Sequence, residues 1–216
     1  MEPPTTMYHE SVRDEQVKVF RMIPPLGPAD LVRGQFHGYR NEPGVAADSQ
    51  TETFVALRLA IESWRWAGVP FLIRAGKSLP VTATEVLVKL REPPLGKLPP
   101  GANYLRLRLG PQISLSLGAR VKRPGLEMAS MPVELSFVKS TQSDEVDAYE
   151  RLLGDAMHGD ATLFVREDAV DAAWSIVDPI LGAVAPAHDY QPGTWGPREA
   201  EPLAANLGGW HNPQAG

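Results

Sequence analysis

Residues 104–118 read YLRLRLGPQISLSLG. Leucine alternates with a polar or charged residue from Leu105 to Leu109, and apolar residues alternate with serine from Ile113 to Leu117. A period of two is typical of strands that bury one face. The intervening Gly110-Pro111-Gln112 has the length of a hairpin loop, so the stretch predicts two neighbouring antiparallel strands.

Further strands are predicted on both sides of this hairpin. The same alternation of apolar residues recurs over residues 86–90 and 133–137. A turn signal at residues 67–70 precedes a short apolar strand at residues 71–74, which ends at Gly76.

Residues 54–61 are ambiguous, because two periods compete there. The apolar residues at odd positions, from Val55 to Ile61, alternate as in a strand, whereas Phe54, Leu57, Ile61 and Trp64 fit one face of a helix. We favour the strand.

Two helices are predicted in the last third of the chain. Ser143 is an N-cap candidate ahead of a helical pattern over residues 145–158. A second helix opens at Arg166 and closes at Pro179. Its predicted buried face consists of Val170, Ala173, Trp174 and Val177.

Strands followed by helices predict the α+β class, with a large, mostly antiparallel sheet and helices packed on one face. The chain of 216 residues is ordinary for one sheet-based domain, which we place at residues 31–216 after an extended lead-in at residues 1–30. Residues 17–20 of the lead-in fit a short strand or a helical turn equally well.

Composition excludes several classes of function. The 21 Lys and Arg residues against 26 Asp and Glu residues give a net charge of −5, so no global positive field favours nucleic acid or an anionic membrane as a partner. The chain has no cysteine, which excludes disulfides and thiolate chemistry. Its apolar runs are shorter than the roughly 20 residues of a membrane span, and its first residues do not resemble a signal peptide. We expect a cytoplasmic protein.

Eight collinear blocks of the sequence are very similar to the C-terminal domain of glucose-6-phosphate dehydrogenases. They are RGQFHGY (33–39), TETFVAL (51–57), WRWAGVPF (64–71), RAGK (74–77), TEV (84–86), AYERLL (148–153), GDATLFVR (159–166) and GTWGP (193–197). The resemblance implies an antiparallel sheet flanked by helices and also favours the strand at residues 54–61. It implies a domain of an NADP-dependent oxidoreductase of the pentose phosphate pathway, which oxidises glucose 6-phosphate to 6-phosphogluconolactone.

In this family the C-terminal domain supplies part of the sugar-phosphate pocket and, through its sheet, the subunit interface. The resemblance therefore implies a homodimer, or pairing with a full-length relative. It also makes Lys77 the candidate substrate-binding residue, because the family's lysine in this block contacts the substrate. A flexible ammonium group beside a glycine suits a phosphate or a sugar hydroxyl, whereas the sequence without the resemblance favours an exposed loop lysine.

The remaining candidates have structural interpretations. Arg74 is either a ligand or a structural partner of a nearby carboxylate. Glu52 and Glu85 receive no catalytic role, and a carboxylate at a strand end often binds backbone or arginine. Trp64 and Trp66 flank Arg65, which suggests a cation–π platform, although core or interface positions are favoured. We assign no chemistry to the histidines, which show no metal spacing: His9, His37, His158, His188 and His211.

Two parts of the family's catalytic machinery are missing from this sequence. No glycine-rich strand-to-helix turn is present to bind NADP, and the Asp-His-Tyr segment that holds the family's general base is also absent. We therefore expect these 216 residues alone to be inactive. The start Met1-Glu2-Pro3-Pro4 resembles an internal stretch of the full-length enzymes, which suggests a truncation.

The sequence also departs from the family within the domain. Many members carry a second basic residue five positions after the pocket lysine, where this chain has Thr82, and the loop at residues 110–112 is shorter than usual. Both changes would weaken sugar-phosphate binding. The alternative hypothesis is a free-standing, non-catalytic paralogue that acts as an assembly or regulatory partner, or as a sugar-phosphate binding module.

Overall fold

The computed structural model describes residues 2–6, 8–92, 103–125, 129–139, 148–182 and 184–215. The chain divides into two compact units, Met1–Pro80 with Val146–Trp210 and Val81–Glu145 with His211–Gly216. Each unit contains one four-stranded sheet. The predicted α+β class is confirmed, but the strands form two sheets rather than one large sheet.

The described residues of the first unit form four strands and four helices. The strands are β1 (Leu31–Phe36), β2 (Phe54–Ala60), β3 (Pro70–Gly76) and β8 (Ala187–Tyr190), and the helices are α1 (His9–Arg21), α2 (Ala148–His158), α3 (Glu167–Val177) and the short α4 (Glu201–Ala204). The order in the sheet is β3-β2-β1-β8, with β1, β2 and β3 antiparallel and β8 parallel to β1.

Strand β2 is covered on both faces, which explains why its sequence was ambiguous. On one face, Val55, Leu57 and Leu59 pack against a buried cluster that includes Ile176 of α3. On the other face, Phe54 and Ala56 belong to a second cluster with Tyr190 and Ala200. A strand that is buried on both faces has apolar residues at successive positions, so its period of two is weak.

Helix α1 corrects the expectation of an extended lead-in. Residues 17–20, which fitted a strand or a helical turn equally well, lie within this helix, and Val17 is buried. Helix α1 packs against α3, and Arg166 joins the two segments by ion pairs to Glu10, Asp14 and Asp168 at 2.7 Å each. The domain boundary at residue 31 stays a prediction.

The two predicted helices are present near their expected positions. Helix α2 ends at His158 as predicted, while the N-cap candidate Ser143 lies outside the described residues. The predicted buried face of α3 is wrong, because Ala169, Ala172 and Ile176 are the buried residues and Trp174 is 51% exposed. Small alanine side chains let the helix backbone approach the sheet more closely than a tryptophan could. Within the part of the chain that the structure describes, no helix is long and apolar enough to cross a membrane.

The second unit is an antiparallel sheet in the order β4-β5-β6-β7. Its strands are β4 (Thr84–Lys89), β5 (Tyr104–Gly110), β6 (Ser114–Lys122) and β7 (Ser130–Val138). The predicted hairpin is confirmed, since Leu105 lies opposite Leu117 and Leu107 opposite Leu115.

The two faces of this sheet differ in chemistry. One face carries exposed apolar side chains from all four strands; we call it the apolar face, and it consists of Val86, Val88, Leu105, Leu107, Leu115, Leu117, Val121, Met131, Val133, Leu135 and Phe137. On the other face, Glu134 accepts hydrogen bonds from Tyr104 and Arg106. The bond from Tyr104 is the main cause that holds the pKa of Glu134 below its usual range.

Phe54 of β2 occupies a slot between three glycines. A Cβ atom added to Gly34, Gly76 or Gly196 would lie 3.2, 2.8 or 2.2 Å, respectively, from an atom of the Phe54 side chain. Contacts shorter than 3.0 Å cannot be accommodated without movement of the ring or the backbone. Because these glycines come from β1, β3 and the C-terminal segment, the Phe54 ring holds three segments together.

We expect Gly196→Ala to destabilise the protein more than Gly193→Ala. Both glycines have positive φ, +99° and +78°, but only a Cβ at position 196 meets the Phe54 ring. Gly193→Ala should cost about 1 kcal/mol through backbone strain alone, and Gly196→Ala a further 1–3 kcal/mol, roughly, through overpacking. Urea unfolding of the three proteins, followed by circular dichroism, measures the difference. Equal losses of stability would contradict the slot.

Candidate substrate-binding loop

Lys77 lies one residue after the end of β3, in a loop whose backbone is tightly bonded. Its N–H donates to the Thr53 carbonyl at 2.8 Å, and its carbonyl accepts from the Tyr190 hydroxyl at 2.7 Å. The next residue, Ser78, is left-handed with φ 52°, and its carbonyl accepts from the Gly193 N–H at 2.7 Å. The side chain of Lys77 is exposed.

The hydroxyl that contacts this loop belongs to a buried residue. Tyr190 is 4% exposed, and burial raises its pKa, so the phenol stays protonated and able to donate. Its hydroxyl also lies 3.2 Å from the Thr53 hydroxyl, which in turn accepts from the Phe36 N–H at 2.9 Å. The Lys77 carbonyl, Tyr190 and Thr53 therefore form one hydrogen-bonded group at the edge of the core.

Arg74 of β3 makes cation–π contacts with two indole rings. Its guanidinium carbon lies 4.7 Å from the ring centroid of Trp195 and 5.1 Å from that of Trp210. Burial lowers the pKa of Arg74. The sequence left a ligand and a structural partner open for this residue, and its cation–π contacts with the two rings join β3 to the C-terminal segment.

The segment at residues 37–53 is tied to β1 by two buried polar side chains. Arg33 donates to the Ala185 carbonyl at 2.8 Å and pairs with Glu52 at 2.7 Å. Gln35 donates to the carbonyls of Ser49 and Thr51 at 3.0 and 2.9 Å. Burial raises the pKa of Glu52 and the Arg33 bond lowers it, with a net shift downward. Glu52 thus serves as an arginine partner, as the sequence suggested.

The other sequence candidates have contacts or surroundings of their own. Arg65 forms two hydrogen bonds to Glu2 at 2.6 and 2.5 Å. Trp66 meets the Phe71 ring edge-on. Trp64 is fully exposed and is therefore not a core residue, whereas the interface position that the sequence also favoured stays a prediction. In the second unit, Glu85 bonds His211 and Thr82 is exposed. Among the described residues, no group of His, Asp and Glu has the arrangement of a metal site.

The electrostatics of the loop suit an anion. Within the described ranges, no carboxylate lies within ion-pair distance of the Lys77 ammonium group, so a ligand would not compete with an internal partner. An ammonium group can donate up to three hydrogen bonds to phosphate or hydroxyl oxygens. Sequence reasoning missed the roles of Thr53 and Tyr190, since a hydroxyl that bonds a distant backbone carbonyl leaves no periodic signal.

The fold and this loop define an α+β domain that presents an exposed basic side chain from a bonded backbone just after a strand end. Comparison with known proteins identifies the family. Residues 1–211 match the family model "Glucose-6-phosphate dehydrogenase, C-terminal domain". The chain therefore belongs to the glucose-6-phosphate dehydrogenase family and corresponds to its C-terminal domain.

Relatives agree in sequence and in structure. The chain is 41% identical to glucose-6-phosphate 1-dehydrogenase of Aggregatibacter actinomycetemcomitans, covering 99% of this chain and 48% of the relative. A crystal structure of the Mycobacterium avium enzyme superposes with a TM-score of 0.89 at 40% identity, covering 99% of this chain and 47% of that one. A glucose-6-phosphate dehydrogenase solved in complex with its substrate glucose-6-phosphate superposes with a TM-score of 0.83 at 31% identity, covering 99% of this chain and 48% of that one. The chain spans about half the length of these relatives.

Proposed function

We propose that this chain is the substrate-binding and dimerisation domain of an NADP-dependent glucose-6-phosphate dehydrogenase of the cytoplasm. The complete enzyme oxidises glucose 6-phosphate to 6-phosphogluconolactone in the oxidative pentose phosphate pathway. The 216 residues on their own bind the sugar phosphate but do not transfer a hydride.

The single observation that carries this proposal is the Lys77 loop. Its ammonium group is exposed, its backbone is held by bonds from two other segments, and it lies in a block that resembles the family's substrate-contacting lysine. One relative of known structure was solved with glucose-6-phosphate as its substrate. Lys77 would bind an oxygen of the phosphate or of the sugar and thereby orient the substrate.

NADP does not fit the residues that the structure describes. Dinucleotides bind at the glycine-rich turn between a parallel strand and a helix, whereas the described strands pair in parallel only between β1 and β8. What the described residues can do is bind and orient the sugar phosphate.

Replacing Lys77 by alanine should weaken binding of glucose 6-phosphate by about 10- to 100-fold. This range corresponds to the loss of one hydrogen bond to a charged group, about 1.5–3 kcal/mol. Isothermal titration calorimetry on the wild type and the variant measures the change. Lys122→Ala is the matched control, because it removes an equal charge from the second unit, where Lys122 bonds the Gly125 carbonyl. Equal affinities of all three proteins would contradict the role of Lys77.

The isolated chain should form no NADPH when it is mixed with NADP and glucose 6-phosphate. We expect this result because hydride transfer requires the bound cofactor and the bound substrate to lie close together. Absorbance of NADPH is the readout, and a full-length relative assayed in parallel is the positive control. Turnover by the isolated chain above the buffer rate would sink this part of the proposal.

The apolar face of the second unit supports pairing with a second copy or with a full-length relative. The exposed apolar side chains of this face together form a patch of the kind that marks protein interfaces. The opposite face is more polar, since it carries the ion pair of Arg106 with Glu134. A non-catalytic assembly partner is thus a second candidate function that rests on this face.

Phe137→Glu should weaken self-association by at least about tenfold, because a carboxylate would be buried in the pairing of two apolar faces. Val138→Glu is the matched control, since Val138 is the next residue of β7, is similarly exposed (55% against 60%) and points to the opposite face. Sedimentation velocity over a concentration series gives both association constants. A monomeric wild type, or equal loss in both variants, would count against pairing through this face.

A further inference from the structure

We infer that the Tyr190 hydroxyl is a positioning group for Lys77, because it anchors the Lys77 carbonyl and thereby holds in place the backbone from which the exposed lysine side chain extends. The inference rests on the proposed role of Lys77 in binding sugar phosphate. Tyr190 itself touches only the backbone of the loop and is not a ligand.

The backbone of Lys77 is fixed from outside its own strand. Its N–H bonds the Thr53 carbonyl, and its C=O bonds Tyr190 at the end of β8. Both polar groups of one residue are thus paired with segments that are distant in the chain. The Cα–Cβ bond of a residue is fixed once its backbone N, Cα and C atoms are placed, so bonds to both polar groups of Lys77 restrain the point at which its side chain leaves the loop.

A competing orientation of the same peptide bond is favoured by Ser78. This residue has φ 52°, a left-handed conformation that is costly for any residue other than glycine. Rotation of the peptide unit between Lys77 and Ser78 would release that strain and turn the Lys77 carbonyl away from Tyr190. The strain and a single hydrogen bond are of similar size, so the Tyr190 hydroxyl decides which orientation is populated.

The hydroxyl and the ring of Tyr190 have separable tasks. The ring packs in the core, with its centroid 5.5 Å from that of Phe54 and 6.5 Å from that of Phe36. The hydroxyl lies within bonding distance of Thr53 and Lys77. Tyr190→Phe therefore removes the bond to the loop and retains the packing.

The test compares Tyr190→Phe with Tyr39→Phe in the full 216-residue chain. Tyr39 also packs its ring against Phe36, at 5.4 Å, and is the matched control for removal of a hydroxyl. Tyr190→Phe should weaken calorimetric binding of glucose 6-phosphate about fivefold, the effect of one hydrogen bond, and should shift the backbone NMR resonances of Lys77 and Ser78. Tyr39→Phe should do neither.

A second substitution separates positioning from general stability. Ser78→Gly removes the strain that opposes the observed orientation, so the double variant Tyr190→Phe/Ser78→Gly should regain most of the lost affinity. A merely structural role of Tyr190 would not be rescued in this way. If Tyr190→Phe fails to fold, the comparison of Ser78→Val with Ser78→Gly decides, because a β-branched residue disfavours the left-handed conformation and should bind more weakly.

The outcomes for the two proposals are distinguishable. A wild-type chain that binds no glucose 6-phosphate contradicts the proposed function, while the resonances of Lys77 and Ser78 still test the positioning role. Unchanged resonances in Tyr190→Phe, or affinity that the Ser78→Gly change does not restore, would overturn the positioning role even if Lys77 binds the sugar phosphate.

Discussion

Burial of one aromatic ring between glycine backbones is the constraint on which the first unit depends. Phe54 is 2% exposed, and the backbones of β1, β3 and the C-terminal segment approach it at Gly34, Gly76 and Gly196. These segments are far apart in the chain, and a Cβ atom at Gly76 or Gly196 would come closer than 3.0 Å to the Phe54 side chain. The ring therefore fixes the spacing of the sheet and of the segment that follows β8.

The candidate site derives its geometry from the same residue. Thr53 precedes Phe54 and receives the N–H of Lys77, while Tyr190 packs against the Phe54 ring and reaches the Lys77 carbonyl. Thr53 and Phe54, which are adjacent at the start of β2, thus contribute to the site geometry and to the core packing, respectively. The backbone of the Lys77 loop is already held by hydrogen bonds. A ligand that binds the flexible lysine side chain would therefore order little additional backbone, and the loss of backbone entropy on binding would be small.

The sequence predicted those features that have a local period. Alternation gave the strands from β4 to β7, because one face of that sheet is apolar throughout. It could not give β8, whose four residues AHDY show no apolar alternation and pair with β1 across about 150 residues of chain. The cation–π contacts of Arg74 with Trp195 and Trp210 were equally invisible, since they join residues more than 120 positions apart. Lys77 was named through the resemblance to a family, not through a pattern.

Charge limits what the described part of the first unit can contribute to binding. A phosphate monoester carries about −1.5 to −2 charges near neutral pH, and one ammonium group balances only part of that. The neighbouring arginines of the sheet are engaged elsewhere, because Arg74 stacks on two indole rings and Arg33 bonds Glu52 and backbone carbonyls. The Lys77 ammonium group is thus the cation that this loop offers in a chain that spans about half the length of its relatives. The rest of the charge on a sugar phosphate would have to be balanced by groups outside this loop.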